Sequence, residues 1–107
     1  ETLGSTEILD VGEIEILPDT LECIILNKKV KLTPTEFEIL YCLMQHFNKS
    51  VTLATLLEEV WGYEYYGDIR TVDVHIRRLR EKLERDPANP EYIMTKWGVG
   101  YYFTDKD

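Results

Sequence analysis

The chain is short of the residues that build metal sites and disulfide frameworks, with only two cysteines and two histidines among 107 residues. Cys23 and Cys42 belong to no CxxC pair, and no ligand-spaced histidine accompanies them. Reduced thiols in a cytoplasmic protein are therefore expected, without metal or other cofactor. No run of eighteen apolar residues is present, so no membrane span is expected. Glu1-Thr-Leu-Gly-Ser-Thr6 lacks the basic start and apolar centre of a signal peptide. Outside positions with a structural explanation there is no carboxylate pair, no nucleophile–base set and no ligand cluster, which argues against an enzyme. Gly98-Val99-Gly100 is not a dinucleotide loop, because position 103 is Phe and no helix follows.

A chain of this length makes one domain with one hydrophobic core. Residues 1–6 read as a linker remnant of a longer protein, 7–104 as the domain and 105–107 as a tail. The net charge of −8 runs against nucleic-acid binding, but it is unevenly distributed. Residues 1–69 carry −9, residues 70–85 carry +3 and residues 86–107 carry −2, which together make the −8 of the whole. The positive segment is a basic island in an acidic body, and local potential decides where a polyanion docks.

That island has helical periodicity. Val72, Ile76, Leu79 and Leu83 form one apolar stripe, while Arg70, Val74, Arg77, Arg78, Glu81 and Arg85 gather opposite. His75 and Lys82 flank the outward face on one edge and Arg80 on the other. Arginine forks pair with guanine edges and phosphate oxygens, so 70–85 reads as a DNA recognition helix. Arginines on an amphipathic helix are also the ordinary composition of a solvated face, so the rest of the chain must decide.

Residues 8–32 read as short antiparallel strands with turns at Pro18-Asp19-Thr20 and Asn27-Lys28, the run Cys23–Leu26 being buried on both faces or lying against a neighbouring element. Thr33-Pro34-Thr35-Glu36 is a capping-box helix start, followed by Phe37, Leu40, Tyr41, Leu43, Met44 and Phe47 at helical spacing, with His46 near the helix end. A second helix starts at Thr52, buries Leu53, Leu56, Leu57, Val60 and Trp61, and stops at Gly62. A loop with Tyr63, Glu64, Tyr65 and Tyr66 leads to Asp68, a candidate N-cap. After Pro87 and Pro90, Tyr92–Thr95 and Gly100–Phe103 read as a hairpin with Lys96–Val99 at its tip. Two helices joined by a loop, the second basic outside, followed by a hairpin, give a helix-turn-helix with a wing in outline.

Leu32-Thr-Pro-Thr-Glu-Phe37, Glu59-Val-Trp-Gly62, Asp68–Arg80 and Gly98-Val-Gly-Tyr101 stand in an order and spacing that resembles the OmpR/PhoB family of response-regulator effector domains, from about Ile8 to Phe103. The resemblance implies an α+β winged helix-turn-helix: an N-terminal four-stranded antiparallel sheet, three helices and a C-terminal β-hairpin wing. It implies sequence-specific binding of double-stranded DNA as the output domain of a two-component system, with a receiver domain upstream. It further implies head-to-tail pairing on direct repeats and a contact of Tyr63, Glu64, Tyr65 and Tyr66 with RNA polymerase. Carried over by position, Arg70, Thr71, Val74, His75, Arg77, Arg78 and Arg80 face the major groove or its phosphates, and Thr95, Lys96 and Trp97 lie at the wing. Family members often have arginine where this chain has Trp97. Strand alternation leads us to expect Lys96 on phosphate and Trp97 in packing. The alternative is a protein-interaction module whose basic helix binds an acidic partner.

Overall fold

The computed structural model describes residues 9–11, 14–25, 27–62 and 70–104. The linker remnant, the tail, Asp68 and the three-tyrosine loop lie outside them. β1 (Leu9–Val11), β2 (Ile14–Leu17), β3 (Glu22–Ile25) and β4 (Lys28–Lys31) form an antiparallel sheet in that order. Ile14 and Ile16 alternate inward along β2 and face Ile25 and Cys23 of β3 in register. Only Cys23 and Ile25 of β3 are buried, and Ile24 is half-buried. Of the two alternatives for this run, burial on both faces is therefore excluded: an antiparallel sheet packs one face on the core and leaves the other to water. Asn27 makes the β3–β4 turn with φ 66°, a conformation asparagine tolerates.

The capping box forms as its residue types dictate. Thr33 Oγ1 accepts the Glu36 N–H at 3.2 Å, and Glu36 Oε1 accepts the Thr33 N–H at 3.0 Å. α1 (Pro34–Gln45) then runs through the middle of the domain, touching both neighbouring helices and strands of both sheets. It ends at His46, whose Nδ1 donates to Cys42 O at 2.9 Å. β5 (Val51–Thr52) precedes α2 (Leu53–Val60) directly, and Thr52 is both a strand residue and the helix N-cap. Two residues are too few to show alternation, which is why β5 is not legible in the sequence. Of the apolar face of α2 only Leu56 is fully buried; Leu53, Leu57, Val60 and Trp61 pack at the core's edge.

α3 (Arg70–Leu83) buries Val72, Ile76, Leu79 and Leu83, as their spacing requires. Glu84 does not continue the helix. Its carboxylate is buried and accepts the N–H groups of Glu91 at 2.7 Å, Tyr92 at 3.0 Å and Ile93 at 2.8 Å. That clamp fixes where the chain re-enters the domain as β6 (Ile93–Lys96), which pairs with β7 (Gly100–Phe103). The second sheet has the order β5-β7-β6, so the last strand is the central one. Opposite β5, a Cβ added at Gly100 would stand 2.0 Å from Val51 O, so only glycine permits this pairing.

Candidate nucleic-acid interface

α3 is held on three sides and open on the fourth. Its apolar stripe lies in the core; on one edge Lys82 Nζ pairs with Glu36 Oε1 at 2.5 Å and donates to Lys31 O at 3.3 Å. Burial raises the Glu36 pKa, but the Lys82 hydrogen bond and charge and the Thr33 N–H outweigh it, leaving it below the ordinary carboxylate value. On the same edge His75 is half-buried. Its Nδ1 donates to Thr71 O at 2.9 Å, and its ring stands edge-on to Trp61 with centroids 5.6 Å apart.

The other edge carries the wing. Arg80 Nε and Nη2 donate to Ile93 O at 3.0 and 2.9 Å, and Nη2 also donates to Thr95 Oγ1 at 2.9 Å. The same guanidinium lies 5.6 Å from the centroid of the Tyr101 ring. The Tyr101 hydroxyl donates in turn to Asp73 Oδ1. Burial first, then the Asp73 hydrogen bond and charge, push that phenol up to about 12, so the hydroxyl keeps its proton. Asp73, Arg80, Thr95 and Tyr101 thus bracket the hairpin to the helix along two turns.

What remains open is the outward face. Arg70, Val74, Arg77 and Arg78 are exposed, and Thr71 is half-buried at the start of the helix. No hydrogen bond or ion pair to another described residue holds Arg77 or Arg78, which leaves both forks presented to a partner. Val74, 42% exposed, sits among the cations and can meet only an apolar group such as a thymine methyl. At the wing, Thr95 is half-buried under Arg80, while Lys96 and Trp97 project into water.

The structure bears on three of the expected side-chain placements. The guanidinium of Arg80, expected to face the groove or its phosphates, is engaged by Ile93 O and Thr95. His75 keeps the edge position that its helical spacing gives it, with its ring against Trp61. Trp97 supplies no packing and is 88% exposed: it stands in the turn beyond β6, where strand alternation no longer sets direction. Asp73, Tyr101 and Trp61 were missed as parts of this surface. The signal for Asp73 was its place seven residues before Arg80, about 20° apart on a helix of 100° per residue, hence on the same edge.

A family model described as "Transcriptional regulatory protein, C terminal" matches residues 27–103. The chain belongs to that family, and within it to the OmpR/PhoB type. Response regulator DrrB of Thermotoga maritima, an OmpR/PhoB homologue, is 39% identical with a TM-score of 0.80, over 91% of this chain and 44% of that one. The chain thus spans less than half of that longer regulator. The DNA-binding domain of Klebsiella pneumoniae RstA, solved in complex with the RstA box, is 31% identical with a TM-score of 0.81, covering 92% and 97% of the two chains. The DNA-binding domain of CpxR from E. coli is 30% identical with a TM-score of 0.79, covering 94% and 99%. In this OmpR/PhoB-type domain the three helices and two antiparallel sheets of the described residues make a winged helix, with β6 and β7 as the wing.

Proposed function

We propose that this domain is the output half of a two-component response regulator and controls transcription by reading double-stranded DNA. α3 lies in the major groove, with Val74 and Arg78 at base edges and Arg70, Thr71 and Arg77 on or beside phosphates. The wing approaches the adjacent minor groove, and Lys96 contacts a phosphate there. The observation that carries this reading is the open face of α3: a rigidly seated helix whose outward side is cationic in an otherwise acidic chain. The likeness to RstA, solved on its own DNA box, supports it.

A receiver domain stands upstream in the full protein, two copies bind direct repeats head to tail, and the loop with Tyr63, Glu64, Tyr65 and Tyr66 faces RNA polymerase in the cytoplasm. Selecting bound duplexes from a random pool and titrating the winner against random DNA over a range of salt tests the central claim. A defined motif, with a binding constant that falls steeply with salt, is the expected outcome. Binding of an acidic protein with no preferred duplex would instead make the helix a protein-docking surface.

A further inference from the structure

The wing tip is apolar where the face beside it is cationic. Trp97 is 88% exposed and Val99 41%, with exposed Lys96 next to them. Scattered exposed apolar side chains are ordinary on protein surfaces. This one is held unusually firmly. Val99 N–H donates to Lys96 O at 2.9 Å, and Gly98 takes φ +80°, which closes a tight turn with the indole at its apex. Behind the turn, the Arg80 and Tyr101 bracket ties both strands to α3. The tip, Asp73 and Tyr101 line a common hollow of about 380 Å³, so the indole is carried beside the N-terminal half of α3.

We propose that Trp97 is an apolar wedge that enters the minor groove flanking the α3 site and favours a deformable pyrimidine–purine step there. The inference rests on the DNA-binding reading above and adds a determinant to it. An indole is too wide, and has too few donors, to thread a narrow minor groove as arginine does. Apolar side chains at this groove act differently, by inserting at a base step and partly unstacking it. The distortion costs least at TA and CA steps, so the wedge reads sequence through deformability. Lys96, one residue away, neutralises a phosphate at the widened edge. A preassembled turn loses little freedom on binding, so most of the contact survives as affinity.

The test uses the 107-residue chain. Trp97→Ala removes a side chain that is 88% exposed, so folding is not at risk. It should weaken the selected site about tenfold, in the range of an aromatic–base contact. The salt dependence should stay unchanged, because no phosphate contact is lost. Pools selected by the native chain should be enriched in TA or CA steps beside the α3 motif, and pools selected by Trp97→Ala should lose that enrichment. Trp61→Phe leaves Trp97 as the only tryptophan; its emission should become shielded from acrylamide on a duplex with a single half-site. Native affinity and native flanks in Trp97→Ala overturn the wedge while leaving the major-groove reading intact. Shielding that needs two half-sites assigns Trp97 to the neighbouring copy and overturns it equally. A native chain that prefers no duplex overturns both readings.

Discussion

At the scale of single residues, two arginines two positions apart have opposite fates. Arg78 stands on the open face; Arg80 is turned inward to Ile93 O and Thr95. Arg78→Ala should cost about 1–3 kcal/mol on the selected site and relax preference at one base pair, with the fold unchanged. Arg80→Ala should instead cost about 1–3 kcal/mol of stability, since it strips a charged donor from partly buried acceptors. Thermal melts and duplex titrations of both variants separate the roles, and the reverse pattern would refute the assignment. The sequence placed both on one helix but could not rank them. A wheel orders residues around an axis, whereas the fate of an edge position depends on which element packs beside it. The thiols offer a second contrast. Cys23 and Cys42 are both raised to about 11, by burial first, opposed by the Lys82 charge at Cys23 and reinforced by Glu59 at Cys42. The thiolate is the reactive form, so neither cysteine should react with an aromatic disulfide reagent at pH 8 until the domain is unfolded.

At the scale of elements, α1 and α3 were legible because each shows its apolar stripe over three or more turns, and α1 also has its capping box. The first sheet was legible in outline through the alternation of Ile14 and Ile16 with Glu13 and Glu15. β5 and the bracket were not, because each depends on residues from distant parts of the chain: Thr52 on Gly100, Asp73 on Tyr101. The tie of Glu36 to Lys82 joins α1 to α3 and has a pH signature. A carboxyl lowered in the folded state contributes stability that is full above its ordinary 4.5 and is lost as pH falls through the lowered value. The stability gap between the native chain and Glu36→Gln should therefore be constant above pH 4.5 and close below it, as read by urea melts across that range. The wing makes its own prediction. Lys96→Ala should weaken all duplexes alike and reduce the salt slope by about one unit; an unchanged slope would place the wing off the phosphates.

At the scale of the whole molecule, the acidic body opposes DNA wherever α3 does not meet it, so weak attachment to random duplex is expected alongside firm attachment to the motif. The domain should be monomeric in free solution by sedimentation and pair only on DNA, on half-sites repeated in one orientation roughly one helical turn, about 10 bp, apart. A palindromic motif, or a stable dimer without DNA, would refute head-to-tail pairing. The strand order also has a consequence for how the domain is born. β7 is the last strand among the described residues, yet it lies between β5 and β6. Its Phe103 O receives Asn48 N–H at 2.8 Å, and its Tyr101 completes the bracket on α3. During synthesis the α3 helix therefore leaves the ribosome well before the strand that orients the wing against it. Until residues 100–103 are clear of the exit tunnel, β5 and β6 have no common partner and Asp73 lacks its hydroxyl. A nascent chain stopped short of them carries the basic face of α3 without its wing, so the two parts of the surface are joined only once β7 is in place.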